Sequence, residues 1–214
     1  MREARHRYQR ELRPQVRRDT GRILEIGCAS GSLLSIFKAE RWEVAGVDLS
    51  ARFAEAARRH HGIDLAVGDL ASAAFPRASF NAILLFGTIS AFLDPAEELA
   101  RTRALLRPGG MLFFNFSDAS SPLVRWIYRS QFWMFTPSVT CFYYRGGVCG
   151  LLDRTGFRLE ALRHDSQQLS YANLCMRAGL PRIAGWVTRA FGPGAALPWS
   201  VPLPAIYFVR ACPA

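Results

Sequence analysis

The segment Ile23-Leu24-Glu25-Ile26-Gly27-Cys28-Ala29-Ser30-Gly31-Ser32-Leu33-Leu34 can hold a ligand largely through its main chain. An apolar run with a buried-strand pattern meets one acid, Glu25, then a turn of small residues, then a helix-forming stretch. Gly27 and Gly31 reach positive φ at little cost and leave the backbone open to close approach. The free N–H groups of the helix opening, near Ser30–Leu33, suit a carboxylate. The spacing excludes a dinucleotide fingerprint, because Ala29 lies between the two glycines and Leu34 stands where a third glycine would fall. About twenty residues further on, Asp48 ends a second apolar run, where a carboxylate can accept both hydroxyls of a ribose. Asp69, in Val67-Gly68-Asp69-Leu70, can accept from an adenine amino group while Leu70 packs on the ring.

These residues need strands that end together at one edge. Strands and helices alternate along the chain, the pattern of a parallel sheet covered on both faces. Strands are expected at Arg22–Ile26, Glu43–Val47, Ile63–Val67, Asn81–Phe86 and Met111–Phe116, then Phe157–Arg163 and a closing strand Ala205–Ala211. Helices are expected at Ser32–Arg41, from Ser50 through about His60, at Pro95–Leu106 behind Asp94, and at Gly146–Thr155. A helix up to Arg18 would lie over the mouth of the ligand site. Two regions break the rhythm, the aromatic stretch Ser117–Tyr144 and the segment His164–Pro204. Insertions after late strands carry specificity in such folds.

At 214 residues the chain fits one domain. Half of its residues are hydrophobic, which argues against disorder. No apolar run approaches the ~18 residues needed to span a bilayer. The charged amino terminus lacks a signal core, and the five scattered cysteines read as reduced thiols, so the expectation is a cytoplasmic protein with no metal site. The net charge of +10 comes almost wholly from arginine, with Lys38 the single lysine. Arg2, Arg5, Arg7, Arg10, Arg13, Arg17 and Arg18 form either an arm for an anionic partner or the solvated face of a helix.

The motifs resemble those of the class I S-adenosylmethionine-dependent methyltransferases. The glycine turn is similar to the family's Glu/Asp-x-Gly-x-Gly-x-Gly, with Ala29 replacing the central glycine. Ala74-Phe75-Pro76-Arg77-Ala78-Ser79-Phe80-Asn81 resembles its approach to the fourth strand, and Leu105-Leu106-Arg107-Pro108-Gly109-Gly110 its turn before the fifth. The resemblance implies a Rossmann-like, doubly wound α/β fold: a mostly parallel seven-stranded sheet with the last strand antiparallel, helices on both faces and an aromatic lid insertion. It implies S-adenosylmethionine as cofactor and S-adenosylhomocysteine as product. Glu25, Gly27, Cys28, Ala29, Gly31, Asp48, Leu49, Asp69, Leu70, Phe86 and Gly87 are the residues it places around the cofactor.

The acceptor should approach near Phe86-Gly87-Thr88. Here the chain departs from its relatives. Ser90-Ala91 stands where many carry Glu-His, and Gln131 precedes Phe132-Trp133-Met134-Phe135-Thr136 where a histidine is usual. The absence is chemically tolerable, since a sulfonium needs mainly an aligned nucleophile and excluded water. A base matters for a hydroxyl or a protonated amine. The remaining candidates are His164 with Asp165 as its orienting carboxylate, and Tyr143, although adjacent strand residues point to opposite faces.

The aromatics from Trp126 to Tyr144 form either an apolar acceptor pocket or an insertion burying itself on the sheet. Leu180–Phe191, apolar at helical spacing, could meet a membrane, the lid or a second subunit of a homodimer. The leading expectation is methyl transfer to oxygen of a small-molecule or glycan-like acceptor, including apolar or lipid-linked ones, by in-line displacement. Members similar in the carboxyl-terminal half, through Gly150-Leu151-Leu152-Asp153-Arg154-Thr155-Gly156-Phe157, belong to natural-product and cell-surface sugar pathways. One alternative is RNA or other nucleic-acid methylation, disfavoured because no Asn/Asp-Pro-Pro-Tyr/Phe follows the fourth strand. Another is a cofactor-binding interaction protein without catalysis.

Overall fold

The structure is a computed structural model of the whole chain, and residues 2–16, 21–122, 140–167, 175, 181–191 and 201–214 are described. Seven strands form one sheet in the order β3-β2-β1-β4-β5-β7-β6. They are β1 (Arg22–Ile26), β2 (Glu43–Asp48), β3 (Ala66–Val67), β4 (Phe80–Leu85), β5 (Leu106–Ser117), β6 (Phe157–Gln167) and β7 (Val201–Pro213). Strands β3, β2, β1, β4 and β5 pair in parallel, while β7 runs antiparallel to both β5 and β6. The fold class expected from the motifs is the one observed.

The helices are α1 (Arg2–Arg7), continued by a π-turn at Tyr8–Leu12, then α2 (Ser32–Ala39), α3 (Ala51–His61), α4 (Pro95–Leu105), α5 (Arg145–Arg154) and α6 (Pro181–Phe191). Central β1 and β4 bury apolar residues on both faces because a helix layer covers each. On one face Ile23, Leu34, Phe37, Leu84, Phe113 and Phe208 join Tyr8 and Leu12 from the amino-terminal helix. On the other, Ile26, Ile83, Phe114, Leu99 and Leu152 enclose a second core with α4 and α5. Local chemistry ends the helices: Ser50 caps α3, Gly62 closes it at φ +60, and Asp94 accepts from Ala96 and Glu97 N–H to start α4.

The late strands are longer than the sequence pattern suggested. β6 continues through Gln167, which pairs with Val201 at the start of β7. His164 and Asp165 therefore sit inside a strand and not in the insertion expected from 164 onward. Most of the aromatic lid expected at 117–144, from Trp126 through Phe135, lies outside the described residues. So does Gln131.

Candidate active site

The carboxyl ends of β1, β2 and β4 converge on the glycine turn. Gly27, Ala29 and Gly31 adopt φ of +71, +46 and +70. Gly27 has no room for a side chain, since a Cβ there would lie 2.3 Å from Thr88 Oγ1. Thr88 is fixed by donating to Ile26 O at 3.0 Å, so the loop after β4 presses on the turn after β1. Left-handed φ costs a residue bearing Cβ about 1–2 kcal/mol. At Ala29 this is offset by its N–H, which donates to Asp48 Oδ2 at 2.8 Å. Asp48 Oδ1 accepts from Ser50 N at 2.9 Å, so its carboxylate is held from both sides with lone pairs still open.

Glu25 and Cys28 face inward. The Cys28 thiol is buried, donates to Val47 O, and is pushed up by burial, leaving only its backbone to meet a ligand. Glu25 is buried, and its Oε2 has no hydrogen-bond partner. Burial pushes its pKa up to about 8, against the pull of the Arg7 guanidinium and with a further push from Asp48. The folded state thus holds a proton that the unfolded chain releases near the ordinary value of 4.5. Stability from this group is present below that value and falls as pH rises toward about 8. Denaturant midpoints measured at both ends of the window should decline toward alkaline pH, and Glu25→Gln should flatten that slope.

Sequence patterns did not reveal Arg7 or Asn115. Arg7 lies buried, with its guanidinium carbon 4.3 Å above the Phe86 ring, and its Nη1 donates to Asp165 Oδ2 at 3.3 Å. Asn115 Nδ2 donates to the same oxygen at 2.9 Å, and Asn115 Oδ1 accepts from Gly87 N at 2.8 Å. A polar chain therefore runs from α1 through β6 and β5 to the loop after β4. A usable signal existed in Arg7, Tyr8, Glu11 and Leu12, whose helical spacing places two charges within an apolar stripe. Glu11 is also buried and meets Arg163 at 2.6 Å.

The three proposed catalytic residues do not form a base. His164 is exposed and stacks on Tyr207, with ring centroids 4.7 Å apart, on the face opposite Asp165. Alternation along a strand separates the pair. Asp165 is fully buried and engaged by Arg7 and Asn115. Tyr143 is buried and donates to Ile89 O at 2.9 Å, with burial holding its hydroxyl above the ordinary range. It is a strut under the Ile89–Ala91 turn. Tyr143→Phe should cost about 1 kcal/mol in urea unfolding and leave the pH–rate profile unmoved.

On the far side, Asp69 is exposed and held by Ser72 N at 2.8 Å, which pulls its carboxyl below the usual range. Leu70 differs from expectation: it is buried in the α4-side core and offers no open platform, whereas Leu49 is 79% exposed beside Asp48. Phe86 stacks on Phe208 at 6.2 Å beneath Arg7. Among the described residues, no group of three His, Cys, Asp or Glu side chains could hold a metal ion.

The chain and its fold have known counterparts. The methyltransferase-domain family profile matches residues 1–162. The ubiquinone biosynthesis O-methyltransferase of Methylocella silvestris is 32% identical over 43% of this chain and 38% of its own length. The nocamycin O-methyltransferase of Saccharothrix syringae is 35% identical over 42% of this chain and 35% of its own. The chain thus spans well under half the length of these curated relatives. A solved S-adenosylmethionine-dependent methyltransferase from Mesorhizobium loti shares the fold, with a TM-score of 0.62, 19% identity and 90% of each chain covered. With the family profile covering most of its length, the chain belongs to the class I S-adenosylmethionine-dependent methyltransferases.

Proposed function

We propose that this chain transfers the methyl group of S-adenosylmethionine to an oxygen of a small-molecule acceptor, apolar, lipid-linked or glycan-like. The observation that carries this reading is the left-handed Gly27–Gly31 turn locked to Asp48 beside the unpartnered Glu25 oxygen. The donor set fits the cofactor: Asp48 for ribose hydroxyls, Asp69 and exposed Leu49 for adenine, and the free N–H groups opening α2 for the amino-acid carboxylate. A bound cation would draw off the proton that burial keeps on Glu25, so that its carboxylate meets the positive charge away from water. Backbone from Gly27 to Gly31, with Phe86 and Gly87 across the cleft, completes the enclosure.

When bound, the cofactor supplies a sulfonium-activated methyl group. The protein's own contribution is orientation and exclusion of water, since no described side chain is placed as a base. The O-methyltransferase names of the two sequence relatives support oxygen as acceptor atom. Calorimetric titration with S-adenosylmethionine and S-adenosylhomocysteine tests the reading, and no heat with either would overturn it. Asp48→Ala should weaken both by about a hundredfold, because hydrogen bonds to a charged group contribute roughly 1.5–3 kcal/mol each. An unchanged affinity would refute the ribose assignment.

A further inference from the structure

Among the described residues, the exposed large hydrophobic side chains are Leu49, Phe53, Val67, Leu93, Phe142, Tyr144, Ile183 and Trp186. Six of them lie at the carboxyl end of the parallel strands, and the chain that carries the other two leaves and rejoins the sheet at that same edge. Leu49 follows β2, Phe53 is in the first turn of α3, Val67 ends β3, and Leu93 is in the loop after β4. Phe142 and Tyr144 flank Tyr143, which bridges to Asp118 just beyond β5. α6 lies between the end of β6 and the start of β7, which pair at this same edge through Gln167 and Val201. Scattered exposed apolar side chains are normal, but their confinement to one rim is a signal.

α6 gives that rim a character. Ala184 and Val187 are buried, while Ile183 and Trp186 are 47% and 60% exposed on the outward stripe. Arg182 and Arg189 share that stripe and are exposed. No acid follows Asp165 in the sequence, whereas Arg177, Arg182, Arg189 and Arg210 do. The aspartates at the rim, Asp48, Asp69, Asp94 and Asp118, are each engaged by backbone N–H groups, those of Ala29 and Ser50, Ser72, Ala96 and Glu97, and Ser120. An outward stripe of tryptophan, isoleucine and arginine, on a chain of net charge +10, matches an anionic lipid–water interface. A neutral apolar partner would leave both arginines without a counter-charge.

We infer that this rim docks on an anionic phospholipid surface, with α6 lying in the interface, so that the cleft opens toward lipid-linked acceptors. The docking stands on the rim itself, whereas the acceptor class rests on the methyltransferase reading above. Flotation of the full chain with vesicles of phosphatidylcholine containing about one quarter phosphatidylglycerol tests it, against vesicles of phosphatidylcholine alone. The expected result is partitioning at least tenfold stronger onto the anionic vesicles, weakened by salt as headgroup attraction is screened. Ile183→Ser with Trp186→Ser, and separately Arg182→Gln with Arg189→Gln, should each reduce partitioning about tenfold and leave S-adenosylhomocysteine affinity unchanged.

No flotation with cofactor binding intact would overturn the docking and leave the methyltransferase reading standing. Flotation without cofactor binding would do the reverse. If the serine variant floated like the wild type but turned a dimer into a monomer in sedimentation, the rim would be an interface between copies, and the lipid proposal would fall.

Discussion

Gly27→Ala should abolish measurable cofactor binding and destabilise the fold by several kcal/mol. Two costs coincide at this position. φ at +71 is left-handed, where a Cβ adds about 1–2 kcal/mol of strain. The new methyl would also lie 2.3 Å from Thr88 Oγ1 and 2.9 Å from its Cγ2. Thr88 cannot yield freely, because its hydroxyl donates to Ile26 O and Phe86 O and its branched Cβ restricts rotation. Forcing a methyl into such a site costs typically ~1–3 kcal/mol. The accommodating movement opens the turn after β1 and displaces the Ala29 N–H that orients Asp48. Adding Thr88→Ala should recover much of the stability, since it removes both close atoms and leaves Thr88 Cβ at 3.1 Å. It should leave the φ strain in place, so affinity should recover only in part. Urea unfolding with calorimetric titration of the single and double variants measures both effects. Wild-type affinity in Gly27→Ala would refute the cradle.

This turn was legible in the sequence because its chemistry is local. An apolar run, two glycines and an amphipathic start lie within a dozen positions, and each restricts the backbone by itself. The parallel core was legible for the same reason, as β4 is apolar except for Asn81 and its neighbours carry turn residues at their ends. The polar chain behind the cleft was not. In the sequence Arg7 is one of seven arginines that suit either an arm for an anionic partner or a solvated helix face, and its partner Asp165 lies 158 positions away. Only the crossing of α1 over the carboxyl ends of β4 and β6 brings them together. Tyr143 failed as a catalyst for a related reason. Residue type offers a hydroxyl, but the packing of the loop before α5 determines that it meets Ile89 O. His164 and Asp165 are separated because β6 continues through both, so strand alternation sets them on opposite faces.

Asp165→Ala should then behave as the loss of a buried counter-ion and not as the loss of a base. Asp165 is completely buried, and its Oδ2 takes both Arg7 and Asn115. Removing one partner of a buried pair costs about 3–5 kcal/mol, because the other charge stays uncompensated. At roughly 2–4 °C per kcal/mol for a chain of this size, the thermal midpoint should drop by about 10 °C. Arg7 would retain the Phe86 face at 4.3 Å and a distant, exposed Glu3 at 3.8 Å, too little to hold α1 in place. Loosening of α1 would also take Arg7 away from Glu25 and remove the pull that opposes the upward shift of that carboxyl. Asp165→Asn keeps an acceptor for Asn115 or Arg7 but not the counter-charge, so it should recover only about 1 kcal/mol of the loss. His164→Ala, on the other face, should leave both the midpoint and the pH profile of methyl transfer close to wild type. A general base would give the opposite pattern, a fall in rate of about 10²–10⁴-fold at His164 with little change in stability. Thermal melts of the three variants across pH therefore separate a positioning carboxylate from a catalytic one, and an unchanged midpoint in Asp165→Ala would show that Arg7 is held by something else.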